Sequence, residues 1–89
     1  MDITDPIIRD FSLLLASEGK KPKTVRTYTD AALKLRACRD VTDWHEITRA
    51  DVRAHIAMLN EKYSPAYANN QYRALRIFFA FLAEEHRKI

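Results

Sequence analysis

A single glycine and three prolines in 89 residues leave this chain few places to turn tightly. A β-rich fold needs many such places, so the scarcity points to helices joined by short links. The prolines also sit where helices begin. Asp5-Pro6 and Ser64-Pro65 each join a side-chain oxygen that can cap a first turn to a residue suited to the first helical position, where a missing N–H costs nothing. Lys20-Lys21-Pro22-Lys23 reads as the turn into another helix. Gly19 is placed to end the helix that Pro6 begins, because glycine takes the left-handed conformation after a helix without strain.

The stretch from Ser64 to Leu82 reads as the start and body of one long helix. At about 100° per residue, Ala68, Tyr72, Leu75, Phe79 and Leu82 share a core-facing stripe, which Phe78 widens. Asn69, Arg73 and Arg76 fall roughly 60–120° round from its centre. That flank is basic and amide-bearing, as a surface touching nucleic acid would be; a solvated flank on a core helix has the same appearance. Ile77 and Phe81 lie nearly opposite the stripe. Either another element of the same domain or something outside these residues is expected to cover them.

Three further helices follow from the same reasoning. The first is expected over Pro6 to Ser17 or Glu18, with Ile7, Ile8, Phe11, Leu14 and Leu15 inward. The second is expected over about Lys23 to Ala37, with Val25, Tyr28, Ala32 and Leu35 inward and Lys23, Arg26, Thr27, Asp30 and Lys34 on the far side. Residues 38–47 have no clear period, and Val41, Trp44 and Ile47 are expected to tuck beneath the helices as a structured loop. Thr48-Arg49-Ala50-Asp51 has the spacing of a capping box, with Asp in place of the usual Glu, and Ile47 and Val52 stand at the hydrophobic-staple positions. A third helix is therefore expected from Arg49 to about Glu61, with Val52, Ile56 and Leu59 inward. The prediction is an all-α chain, a compact four-helix bundle forming one domain over residues 1–89.

Charge alternates along this order. Residues 19–39 hold seven basic residues (Lys20, Lys21, Lys23, Arg26, Lys34, Arg36, Arg39) against Asp30 alone, while residues 1–18 and 40–61 are each acidic. Residues 62–89 are again basic, and the whole chain carries a formal +3. If the second and fourth helices lie side by side, their charges make one positive face for a polyanion. The first amides of the second helix add partial positive charge where three lysines already sit, a seat for phosphate.

Other chemistries find little support. No apolar run approaches the ~20 residues of a membrane span, and the acidic start, M-D-I-T-D-P, is unlike a signal peptide. Cys38 is the sole cysteine, so no intrachain disulfide can form and a cytoplasmic location is expected. His45-Glu46-Ile47-Thr48-Arg49 comes near the zinc-protease spacing, but Arg49 cannot ligate a metal. Cys38, His45, His55 and His86 lack ligand spacing and read as surface or boundary residues. Glu84 and Glu85 are adjacent and diverge on a helix. Tyr28, Tyr63, Tyr67 and Tyr72 have no evident base near them in sequence. No catalytic residue, cofactor or metal is expected.

The order of motifs resembles the N-terminal core-binding domain of the tyrosine recombinases, or phage integrases, a helical SAM-like fold. Phe11 to Leu15 and Gly19 are similar to the family's F-x-x-x-L opening helix and its terminal glycine. Gly19 through Tyr28 is similar to G-x-S-x-x-T-x-x-x-Y, with Lys21 where Ser is usual. Ile47-Thr48-Arg49-Ala50-Asp51-Val52 is similar to the element before the third helix. Ser64 to Leu82 is similar to S-x-x-T-x-N-x-x-L-x-A-L-R-x-F-F-x-F/Y-L, with Tyr67 for Thr and Tyr72 for Leu. The resemblance covers about residues 5–86.

The resemblance implies a module gripping one side of double-stranded DNA while a separate C-terminal catalytic domain, with its Arg, Lys, His and nucleophilic Tyr, grips the other. None of those catalytic residues maps onto this chain, so the fragment is expected not to cleave or join DNA. It also implies phosphate contacts at Lys20, Lys21, Lys23, Thr24, Arg26 and Thr27, and groove-facing residues at Asn69, Asn70, Arg73 and Arg76. The chain alone is expected to be a monomer, and a tetramer on DNA is a state the resemblance allows for the parent. Two alternatives stay open: a stand-alone helix-turn-helix regulator, and a SAM-like protein-interaction module that uses the Ile77/Phe81 surface.

Overall fold

The computed structural model describes residues 5–39 and 43–86, and the expectation for Val41 falls outside them. Four helices follow in order: α1 (Pro6–Ser17), α2 (Pro22–Arg39), α3 (Arg49–Lys62) and α4 (Pro65–Glu85), with a short 3₁₀ turn (Trp44–Glu46) between α2 and α3. No strand occurs among the described residues. The caps are those the residue types dictate. Asp5 accepts from the amides of Ile7 and Ile8, and Ser64 from that of Tyr67. Thr48 and Asp51 close a reciprocal capping box despite the shorter acid. Gly19 has φ 84°, and the amides of Gly19 and Lys20 reach back to the carbonyls of Ala16 and Leu15. This is the paired bonding that ends a helix on a left-handed residue.

α2 runs two residues beyond the expected end, to Arg39. Its last turn is held from outside: Arg36 pairs with Asp5 at the head of α1, and Arg39 with Asp51 in the first turn of α3. The alternating charge blocks therefore serve partly to bind helix to helix. Arg36 also lies over the Trp44 ring, 4.4 Å from its centroid, and the Trp44 indole donates to Asp5 at 3.0 Å. The 3₁₀ turn is thus fastened to the starts of α1 and the end of α2, which buries Trp44 as expected.

Two apolar clusters share the interior. One gathers Ile8, Phe11 and Leu15 of α1 with Ala32, Trp44, Phe78, Phe81 and Leu82, and the other joins Ala31 and Leu35 to Ala74 and Leu75. Phe11 meets Phe78 edge-on at 5.1 Å between centroids and touches Phe81 at the same distance. α2 and α4 pack directly through Ala31, Leu35, Ala74 and Leu75.

Three expectations are corrected. The buried face of α4 is Ala68, Gln71, Ala74, Leu75, Phe78, Phe81 and Leu82. Tyr72 is 44% exposed, and Phe81, expected on the far side, is 4% exposed. Ile77 packs half-buried against the first cluster, so nothing outside the domain is needed to cover that pair. The true stripe lies roughly 65° round the wheel from the expected one. His55, read as a surface or boundary residue, is buried. Asp30, read as facing outward, is half-buried with Oδ1 enclosed and without a hydrogen-bond partner among the described residues.

Candidate nucleic-acid interface

The rotation of α4 changes what its polar side chains do. With the core centred between Gln71 and Phe78, Asn69, Arg73 and Arg76 point almost directly away from the interior. All three are exposed, and neither arginine makes an ion pair among the described residues. Arg73 and Arg76 border a shallow depression with Ile77 and Ala80. Asn69 lines a separate cleft against α3, with Ile56, Asn60 and Pro65. Asn70 is exposed as well.

The α2 candidates gather at its N-terminal half. Lys20, Lys21, Lys23, Arg26 and Thr27 are exposed, and Thr24 is half-buried. Lys20 and Arg26 line a cavity between α1 and α2 with Leu13, Pro22 and Val25, so these two lean toward α1. The Thr27 hydroxyl donates to the Lys23 carbonyl at 3.0 Å, leaving its lone pairs outward. No acidic residue pairs with these four cations among the described residues. Of the seven basic residues in this block, Arg36 and Arg39 are spent on internal pairs. The outward charge is therefore concentrated at the first turns, where the helix amides add to it.

The two sets are linked by the α2–α4 packing, and Lys34 donates to the Tyr67 hydroxyl across it at 3.4 Å. That contact sets the middle of α2 beside the first turn of α4, while Val25, near the start of α2, packs on the cluster holding Phe78, Phe81 and Leu82. It also brings a lysine to a tyrosine that looked isolated in sequence, but the contact is exposed and lacks a third group to orient it.

Sequence reasoning missed Arg49 and Arg53. They border a groove between α3 and α4 that Arg76 also lines. The acid nearest them on α3, Asp51, faces elsewhere. It accepts from the Thr48 amide and hydroxyl and from Arg39, and these bonds outweigh its desolvation and hold its carboxyl below the ordinary range. Among the described residues no three His, Cys, Asp or Glu side chains gather to hold a metal ion, and no helix is long and apolar enough to cross a membrane.

Four packed helices, with exposed cations on α4 and at the start of α2 that make no ion pair among the described residues, define a small all-α domain. The chain belongs to the family of phage integrase N-terminal SAM-like domains, whose family model matches residues 7–88. Neither the curated proteins nor the solved structures hold a match to the chain.

Proposed function

We propose that this domain binds double-stranded DNA as the N-terminal gripping module of a tyrosine recombinase, with cleavage and rejoining supplied by a separate C-terminal catalytic domain. The observation that carries the reading is the outward pair Arg73 and Arg76, without an ion pair among the described residues, on a helix packed directly against α2, in a chain of this family. Lys20, Lys21, Lys23, Thr24, Arg26 and Thr27 contact phosphates and set register. Asn69, Asn70, Arg73 and Arg76 face the groove, where amide and guanidinium groups suit adenine and guanine edges. Binding is electrostatic in the main, weak for the isolated domain, and falls steeply with salt as counterions are released. The domain needs no cofactor, works in the cytoplasm, and is a monomer until the parent assembles on DNA. A helix-turn-helix reading fits less well. Only Tyr63 and Ser64 separate α3 from α4, and α4 runs 21 residues.

The test is a fluorescence titration of a labelled duplex carrying a cognate recombination site, repeated across salt. Lys23→Glu and Arg73→Glu are each expected to weaken binding on the order of tenfold at about 0.1 M salt while the helical circular dichroism is unchanged. Wild-type affinity in both variants would overturn the assignment.

A further inference from the structure

α3 and α4 form an antiparallel hairpin whose seam is open on one side. Two cavities lie along it, of about 570 and 490 Å³, and Tyr72 lines both. The larger is floored by Ile47, Val52, Leu75 and Phe79 and bordered by Arg49, Arg53 and Arg76; no carboxylate of the described residues lines it. Its cations are all arginine, whose planar fork pairs bidentately with carboxylates. None of the three makes an ion pair among the described residues. The smaller cavity continues the seam past Ile56 to Asn60 and Pro65. From Arg49 to Asn60 the seam is roughly 17 Å long at ~1.5 Å per residue, the length of about three helical turns.

We propose that this seam is a docking groove for an acidic amphipathic helix of a partner protein, its apolar face on the half-buried Ile47, Val52 and Phe79 and its carboxylates on Arg49, Arg53 and Arg76. The charge on the groove selects the acid, and the floor selects the apolar face. A nucleic-acid backbone satisfies the arginines but offers the floor no apolar side chain. An acidic amphipathic helix satisfies both at once, which is the helix-in-groove mode of recognition. The inference goes beyond DNA binding and does not depend on it. Arg76 belongs to both surfaces, so an occupant of the groove sits at the edge of the proposed DNA face.

The experiment uses the 89-residue chain and a labelled synthetic helical peptide of about 14 residues, with leucines along one face and glutamates flanking them. A second peptide keeps the glutamates and replaces the leucines with serine. The first peptide is expected to bind, with amide shifts at Ile47, Val52 and Phe79 and methyl shifts at Ile47 and Val52, and the serine peptide to bind at least tenfold more weakly. Arg49→Ala with Arg53→Ala is expected to weaken the first peptide at least tenfold and to cost the duplex less than it costs the peptide; Arg53→Ala alone is expected to act in the same direction. Lys23→Glu is expected to leave the peptide unaffected. Equal binding of both peptides, or equal loss in Lys23→Glu, would reduce the effect to general charge attraction and overturn the proposal. So would a larger loss of duplex than of peptide in the double variant, which would assign Arg49 and Arg53 to DNA. A chain that binds peptide but not duplex sinks the DNA reading and leaves this one standing.

Discussion

At the scale of single residues, Asp5 and His55 matter most. Asp5 caps α1, accepts from Arg36 and accepts from Trp44. Burial raises its pKa, but the bonds from Arg36, Trp44 and the Ile8 and Ile7 amides outweigh burial and leave it lowered. Its contribution to stability is thus present above the unfolded carboxyl's value of 3.8 and is lost as pH falls through the folded value. Asp5→Ala is expected to cost about 2 kcal/mol in urea unfolding at neutral pH, since it removes a cap and strands Arg36. His55 is buried, and neither ring nitrogen has a hydrogen-bond partner among the described residues. Desolvation, with the charge of Arg39 adding to it, lowers its pKa from 6.5. The unfolded chain then takes the proton first, so stability falls as pH drops below about 6.5 and levels off below the folded value. His55→Leu is expected to abolish that acid-side loss and to be neutral or stabilising by about 1 kcal/mol at pH 7. An unchanged acid-side loss in the variant would assign it to another group. The cap roles of Asp5 and Ser64 are legible from their neighbours in sequence. The bonds from Arg36 and Trp44 are not, because those residues lie 31 and 39 positions away.

At the scale of helices, α4 shows why its existence was readable and its orientation was not. Ile77, Phe78, Phe79, Phe81 and Leu82 are apolar nearly all the way round, so the C-terminal half has no clear phase. The N-terminal half buries Gln71 and Ala74, which carry little hydrophobic signal, and exposes Tyr72, which carries much. The phase drawn from Tyr72 and Phe79 is therefore displaced, and the arginines looked like a flank when they form the outermost row. The end of α2 was similarly hidden, since Arg36 and Arg39 are fixed by acids on other helices. The buried face is tested by a pair of substitutions followed by chemical denaturation. Phe78→Ala is expected to cost about 3–5 kcal/mol, because Phe78 touches Phe11, Trp44, Phe79 and Phe81. Tyr72→Ser is expected to cost less than about 1 kcal/mol. Comparable losses would restore the stripe that the sequence pattern suggests.

At the scale of the whole molecule, the charge distribution has two uses that the sequence cannot separate. The C-terminal half of α2 gives its arginines to neighbouring helices, while its N-terminal half and the link before it leave Lys20, Lys21, Lys23 and Arg26 without an ion pair among the described residues. The central claim is that this cluster and the outward row of α4 form one surface for duplex DNA. Nuclear magnetic resonance of the domain, titrated with a cognate duplex at low salt, tests it most directly. The account predicts amide and guanidinium shifts confined to the first half of α2 and to Asn69, Asn70, Arg73 and Arg76, fading together as salt is raised. Shifts centred instead on α1 or α3, or an unperturbed spectrum with duplex in excess, would contradict it.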